Sequence, residues 1–192
     1  MQLKKLSPIL LSLLLVGPIV SLKASNDNSL IEAAKRGDIN KVKELLEKKD
    51  IDVNKEDNFG NTPLTYACFY GHENVVTELL ENKDIDVNKQ GSLGKTALTV
   101  ACFYGHENVV RELLQNKDID VNKQDKAGNT PLTYACLKGH ENVVKELLKN
   151  NKIDVNKQDS LGNTPLTHAK YSGCEAIVEC IEEAIKKTVE KQ

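Results

Sequence analysis

Residues 60–88 read GNTPLTYACFYGHENVVTELLENKDIDVN, and this stretch decides the fold because the chain repeats it. Its landmark residues recur at a spacing of 34 positions. The recurring sets are Gly60, Gly94, Gly128 and Gly162; Thr62, Thr96, Thr130 and Thr164; Gly71, Gly105, Gly139 and Gly173; and Val53, Val87, Val121 and Val155. A period between about 20 and 50 residues is typical of stacked repeats. The sequence therefore predicts a repeat array.

Each repeat contains the signals of two short helices. Thr62 can cap the first helix with its hydroxyl, and Pro63 is tolerated in a first helical turn. Gly71 suits the left-handed conformation that ends a helix. Apolar residues at helical spacing form two buried faces, Leu64, Ala67 and Cys68 on the first helix and Val75, Val76, Leu79 and Leu80 on the second. Such short helices must bury these faces against neighbouring units.

The combination of Thr-Pro-Leu, Gly-His, Leu-Leu and Asp-Val-Asn at these spacings resembles the ankyrin repeat. The resemblance covers nearly all of residues 28–175. It implies an all-α fold, an ankyrin-repeat solenoid whose helix-turn-helix units are joined by β-hairpin-like loops. We expect about five units, with caps at both ends: 25–57, 58–91, 92–125, 126–159 and 160–192.

The chain departs from the family pattern at several positions. The family usually has His after Thr-Pro-Leu, so a hydroxyl must replace that hydrogen bond where this chain has Thr65, Thr99, Thr133 and Thr167. The family period is about 33 residues, and the extra residue here lies in the Lys-Asp-Ile-Asp loop. In the third unit Ala97 replaces Pro, and Gly91 stands where the other units have Asp.

Residues 1–24 differ from the repeats and resemble a secretory signal peptide. Lys4 and Lys5 form a basic start, residues 6–20 are almost entirely apolar, and Ala24 offers a small residue for cleavage. The apolar run is shorter than the roughly 20 residues that span a bilayer as a helix. We therefore expect residues 25–192 to form the mature, secreted or periplasmic chain, without a membrane association. An uncleaved membrane anchor is the alternative.

The charge balance disfavours nucleic acid as a partner. The chain has 26 basic and 28 acidic residues, a formal charge of −2, which becomes −5 if residues 1–24 are removed. Nucleic-acid binding depends on clusters of Lys and Arg that neutralise phosphates. No cofactor is implied by any motif.

Repeated cysteines and histidines raise the question of metal binding or catalysis. Cys68, Cys102 and Cys136 occupy one position in successive units, where equivalent helices lie about 8–10 Å apart. Such spacing is too wide for a disulfide and does not bring four zinc ligands together. A Cys68–His72 nucleophile and base lacks a third orienting group and would recur in each middle unit. We therefore predict free cysteines, no metal site and no catalytic residue.

The positions that vary between units are the candidate protein-binding residues. In ankyrin repeats the residues before Gly-His and at the loop tips line the concave face and bind ligands. Apolar residues there have no core duty and can anchor a partner. The candidates are Phe59, Phe69, Tyr70, Leu93, Phe103, Tyr104, Leu137, Lys138, Leu161 and Tyr171. The alternative is that the Phe and Tyr rings pack between adjacent units.

The resemblance implies a non-catalytic protein-protein interaction module that acts as a monomer. Together with the export signal, it is similar to the ankyrin proteins that intracellular bacteria send towards host targets. A host protein, reached by delivery into the host cell, or an envelope protein is then the expected partner. The alternatives are a periplasmic scaffold or chaperone-like binder and, more remotely, an enzyme acting through Cys174. Only about twenty residues lie outside the repeats, too few for a catalytic domain.

Overall fold

A computed structural model describes residues 29–190. The predicted signal segment, residues 1–24, lies outside the described residues. Within them the chain forms ten helices and no strands, which confirms the predicted all-α solenoid of about five units. The helices form five pairs: α1 (Leu30–Arg36) with α2 (Ile39–Leu46), α3 (Pro63–Tyr70) with α4 (Glu73–Leu80), α5 (Ala97–Tyr104) with α6 (Glu107–Gln115), α7 (Pro131–Lys138) with α8 (Glu141–Leu148), and α9 (Pro165–Ser172) with α10 (Glu175–Val189).

Pairs of threonines start the first helix of each full repeat. The Thr62 hydroxyl accepts a hydrogen bond from the backbone N–H of Thr65 at 3.2 Å, and the two hydroxyls lie 3.1 Å apart. In α7, the Thr133 hydroxyl also accepts from the backbone N–H of Thr130 at 3.3 Å, which closes a reciprocal cap. The second threonine hydroxyl thus takes part in the cap at the start of the first helix of the unit.

The Gly-His dipeptide ends one helix and fastens two units together. Gly71 has φ of +73°, the left-handed conformation expected at the end of α3. The next unit's His106 donates from Nε2 to the carbonyl oxygen of Phe69 at 3.1 Å. Its ring lies so close to Gly71 that a β-carbon there would approach Nδ1 to 2.7 Å. Equivalent bonds join His72 to Lys35 and His140 to Phe103, and we call the three contacts the histidine latches.

A matched pair of glycine substitutions distinguishes the contribution of the histidine latch to stability from the cost of the left-handed backbone conformation. Gly105 has φ of +77° and lies against the His140 ring, whereas Gly139 has φ of +72° with no atom within 4 Å of a built β-carbon. Alanine at either position should cost about 1–2 kcal/mol for the left-handed conformation. Gly105→Ala should cost about 1–3 kcal/mol more, because it displaces His140 from its carbonyl acceptor.

Urea unfolding of the two glycine variants measures this difference. Equal losses of unfolding free energy in Gly105→Ala and Gly139→Ala would show that the histidine latch adds nothing to the stack.

The core is a ladder of aliphatic side chains that crosses all five pairs. Its completely buried members include Leu64, Leu98, Leu113, Leu132 and Ile181. The first helices of successive pairs pack more closely against one another than the second helices do. The array therefore curves towards the first helices. We call α1, α3, α5, α7 and α9 the inner helices, and the other five the outer helices.

Tight turns between the pairs connect the units into a continuous ribbon. Each turn is closed by backbone bonds, such as Asp57 N–H to the Asn61 carbonyl at 3.0 Å. Successive turns are joined by further bonds, for example from Ser92 N–H to the Phe59 carbonyl at 2.9 Å. The predicted hairpin-like character is present in these bonds, although residues 29–190 contain no strand.

Asparagine side chains fasten the loops that follow the outer helices. The Asn54 amide donates to the Asp84 carbonyl at 2.7 Å, and its oxygen accepts from the Asp86 N–H at 2.8 Å. Asn88 and Asn122 make the same pair of bonds to the next loops. The Asp-Val-Asn part of the repeat is therefore an inter-unit clamp. Between residues 29 and 190, no helix has the length and apolar character needed to cross a membrane.

Candidate protein-binding surface

Five aromatic rings form a continuous row on the inner helices. Their order is Tyr70, Phe69, Tyr104, Phe103 and Tyr134. The ring centroids lie 4.7, 4.5, 4.9 and 5.4 Å apart along the row, in edge-to-face geometry. Such pairs are favourable beyond their buried area. We call this row the aromatic strip; it spans three units.

The tyrosines and the phenylalanines of the strip differ in exposure. Tyr70 and Tyr104 are 49% and 40% exposed, whereas Phe69 and Phe103 are half-buried. Phe69 packs on the aliphatic core and against the ring of Tyr104 in the next unit. The two phenylalanines are thus not the freely exposed anchors that the sequence suggested. Their rings pack between units, which is the alternative kept open above, and the tyrosines present the accessible surface.

The other candidate residues lie on the turns and towards the C-terminal end. Phe59, Leu93 and Leu161 are 67%, 66% and 87% exposed at the tips of the turns. Tyr171 on α9 is 78% exposed, outside the aromatic strip. On α7, Leu137 is half-buried and Lys138 is exposed. The backbone bonds between successive turns bring Phe59 and Leu93 onto neighbouring turns of one ribbon.

Lys95 is a half-buried residue beside the aromatic strip that is not among the candidates predicted from the sequence. Its Nζ lies 4.8 Å from the ring centroid of Phe103 and 4.6 Å from that of Tyr134. Lys138 approaches Phe103 as well, with Nζ 4.3 Å from the centroid. All three distances suit cation–π contacts. The available signal was the repeat itself, because the three equivalent positions, Asn61, Asn129 and Asn163, are all asparagine.

At three of the turns a carboxylate is hydrogen-bonded to a Tyr or His side chain of the following inner helix, and one of these rings, Tyr134, belongs to the aromatic strip. Asp57 accepts a hydrogen bond from Tyr66 at 2.6 Å, Asp125 from Tyr134 at 2.6 Å, and Asp159 pairs with His168 at 2.9 Å. Burial opposes ionisation of Asp57, but the bonds from Tyr66 and two backbone N–H groups outweigh it and lower its pKa. Burial and the bond to Asp57 raise the pKa of Tyr66 to about 12.

The pair is missing at the junction of units 58–91 and 92–125. Gly91 stands in the carboxylate position and Val100 in the tyrosine position. Loss of either the carboxylate or the tyrosine alone would leave the other polar group buried without a hydrogen-bond partner. The replacement of both residues avoids this cost. Four residues after Gly91, the Lys95 side chain extends towards the rings of Phe103 and Tyr134.

The repeated cysteines are structural. Cys68, Cys102 and Cys136 are completely buried, and all five cysteines are free. Burial raises the pKa of the Cys68 and Cys102 thiols well above its usual value, and that of Cys136 to about 12. Since the thiolate is the nucleophile, these thiols are chemically inert near neutral pH. In the described part of the chain, no group of three His, Cys, Asp or Glu residues could hold a metal ion.

Comparison with known sequences agrees with the geometry. The family model described as "Ankyrin repeats (3 copies)" matches residues 7–91, 30–125 and 117–190. The chain therefore belongs to the ankyrin-repeat family, whose members are generally non-catalytic modules for protein–protein interaction. Osteoclast-stimulating factor 1 of Danio rerio is 45% identical over 49 residues, which are 26% of this chain and 22% of that protein. The match thus spans about a fifth of that relative.

Proposed function

We propose that this protein is a non-catalytic, monomeric binding module that is exported and docks a partner protein on its inner face. The carrying observation is the aromatic strip, because Tyr70 and Tyr104 expose large rings that rest on half-buried phenylalanines of neighbouring units. Rigid, supported aromatic side chains are common anchors at protein interfaces.

The histidines and cysteines support the non-catalytic part of this proposal. The rings of His72, His106 and His140 are turned towards the preceding unit, where each donates to a backbone carbonyl. They are therefore engaged in the stack and do not serve as bases for the buried cysteines. Burial also keeps the repeated thiols protonated.

Cross-linking followed by affinity capture tests the binding function. The purified protein and a Tyr70→Ala/Tyr104→Ala variant are incubated with extracts of host cells and of the bacterial envelope. A specific partner should be captured by the wild-type protein and lost from the variant. A matched Glu112→Ala change on outer helix α6 should retain the partner. Capture that is equal in all three proteins would contradict binding through the inner face.

Export is proposed because residues 1–24 have the basic start, the apolar run and the small residue of a secretory signal peptide. N-terminal sequencing of secreted material should begin near Ser25, after removal of the basic start, the apolar run and Ala24. Replacing both Lys4 and Lys5 with Glu should slow export, and precursor should accumulate. Recovery of only full-length protein in membranes would contradict cleavage.

In this proposal the partner is either a protein of the host cell or a protein of the bacterial envelope. Fractionation during infection distinguishes the two locations, since delivered protein is recovered from host cytosol and retained protein from the periplasm. Buried free thiols are compatible with the reducing interior of a host cell.

A further inference from the structure

The inner and outer helices of this solenoid carry different charge. Four basic side chains and one acidic side chain lie on the inner helices, against six basic and eleven acidic ones on the outer helices. A protein with a negative formal charge therefore has a cationic inner face. Complementary charge on a partner steers association and sets its orientation.

Most cations of the inner helices are already paired. Lys35 contacts Glu32 at 2.6 Å, Arg36 lies 4.0 Å from the same carboxylate, and Lys170 lies 3.3 Å from Glu182. Lys138 is the exception, because its ammonium neither pairs with an acid nor donates a hydrogen bond within residues 29–190. The same holds for Lys95.

Lys95 and Lys138 converge on one ring at the end of the aromatic strip. Their Nζ atoms lie 4.8 and 4.3 Å from the centroid of Phe103. Burial lowers the pKa of Lys95, Asp125 counteracts this, and the charge of Lys138 lowers it further. The two oxygens of Asp125 accept bonds from Tyr134 and from the backbone N–H groups of its own turn. Neither ammonium group therefore has a hydrogen-bond acceptor or a carboxylate partner among the described residues.

The stack does not require a cation at position 95. The other units have asparagine there, and the backbone bond of this turn, from Gly91 N–H to the Lys95 carbonyl at 3.1 Å, is independent of the side chain. The turn backbone therefore does not account for the charge that Lys95 places beside Lys138.

We infer that the inner face binds an acidic segment of a partner protein, whose carboxylate side chains contact Lys95 and Lys138 while apolar neighbours lie over Tyr104 and Tyr70. This inference rests on the proposed function and specifies the chemistry of its partner. Carboxylates accept charge-assisted hydrogen bonds from ammonium groups, and these are stronger than neutral ones. The aromatic strip sets the orientation of the bound segment. Its apolar part lies over the N-terminal units, and its acidic part lies near α7.

A phage-displayed library of random peptides, selected on the purified full chain, provides the test. Enriched peptides should combine Asp or Glu with an aromatic or aliphatic residue. Calorimetry on a selected peptide should show that Lys95→Asn and Lys138→Gln each weaken binding about tenfold. The affinity of the wild-type protein should also fall as salt is raised.

The controls separate this inference from the proposed function. Lys117→Gln, at an exposed lysine in the loop after α6, should leave peptide binding unchanged. Thermal unfolding of Lys95→Asn should match the wild type, since asparagine is the residue of the other units. Peptides that lose binding in Tyr104→Ala but lack acids and tolerate both lysine changes would overturn the acidic partner and leave the binding function standing.

Two further outcomes contradict the inference in other ways. Peptides that bind Tyr104→Ala as well as wild type, or failure to enrich any peptide, would contradict both the acidic partner and the inner-face function. Binding of a single-stranded oligonucleotide that depends on both lysines would overturn the protein partner in favour of phosphate recognition.

Discussion

Truncating Tyr70 and Tyr104 together to alanine should weaken binding of the captured partner about a thousandfold. Each ring exposes nearly half of its surface and is held by a half-buried phenylalanine, as an interface anchor would be. Buried aromatic anchors commonly cost at least about 2 kcal/mol each when truncated, and two additive losses correspond to this factor. Surface plasmon resonance with the partner obtained by cross-linking measures the loss.

Truncation of a phenylalanine that supports these tyrosines is the comparison that separates binding from packing. Phe103→Ala should reduce both partner affinity and the free energy of unfolding, because its ring packs against Tyr104 and Tyr134. The tyrosine truncations should change the unfolding free energy much less. If Tyr104→Ala destabilises the fold as much as Phe103→Ala, the strip serves packing. The binding surface must then be sought at Phe59, Leu93 and Leu161 on the turns.

Leu113→Ala should lower the free energy of unfolding by about 2–5 kcal/mol. Leu113 lies on outer helix α6 in the middle unit, and its side chain is completely buried. The change removes apolar contacts and leaves a cavity between packed helices. Because each unit is stabilised by its neighbours, a defect in the middle of the stack weakens the contacts on both sides. Urea denaturation followed by circular dichroism measures the loss.

The adjacent residue on the same helix is the matched control. Leu114 is only partly buried, so Leu114→Ala should cost about 1 kcal/mol. Both variants delete the same atoms and differ only in burial. Similar losses in the two variants would show that burial in the aliphatic ladder does not determine the stability of the stack.

The helices could be predicted from sequence because each signal acts locally. Thr62 and Gly71 mark the ends of α3 by their own backbone and hydroxyl chemistry, and the repeat multiplies this evidence. The role of His106 as a latch was not predictable in the same way. Its acceptor lies 37 residues earlier in the chain, and only the stacking of two units brings the pair together.

The candidate surface was predicted by position but not by side-chain role. Repeat logic selects Phe103 and Tyr104 together, although only the tyrosine is well exposed. Neighbouring positions at a helix end point in different directions, and their burial depends on the next unit. Lys95 is not an apolar residue, so the pattern of apolar candidates does not include it. The departure of a single unit from asparagine was visible, but its contact with Phe103 is a tertiary feature.

The histidine latches imply that the solenoid opens from its C-terminal end. Cys174 occupies the place where the middle units have His72, His106 and His140, and its side chain makes no cap bond to α10. The last junction therefore lacks the imidazole bond of the earlier ones and is closed by apolar packing and by the backbone bond from Ser160 N–H to the Ala127 carbonyl at 3.0 Å. Local openings are most frequent where the fewest contacts must break. Amide hydrogens of α9 and α10 should exchange with solvent before those of α5 and α7.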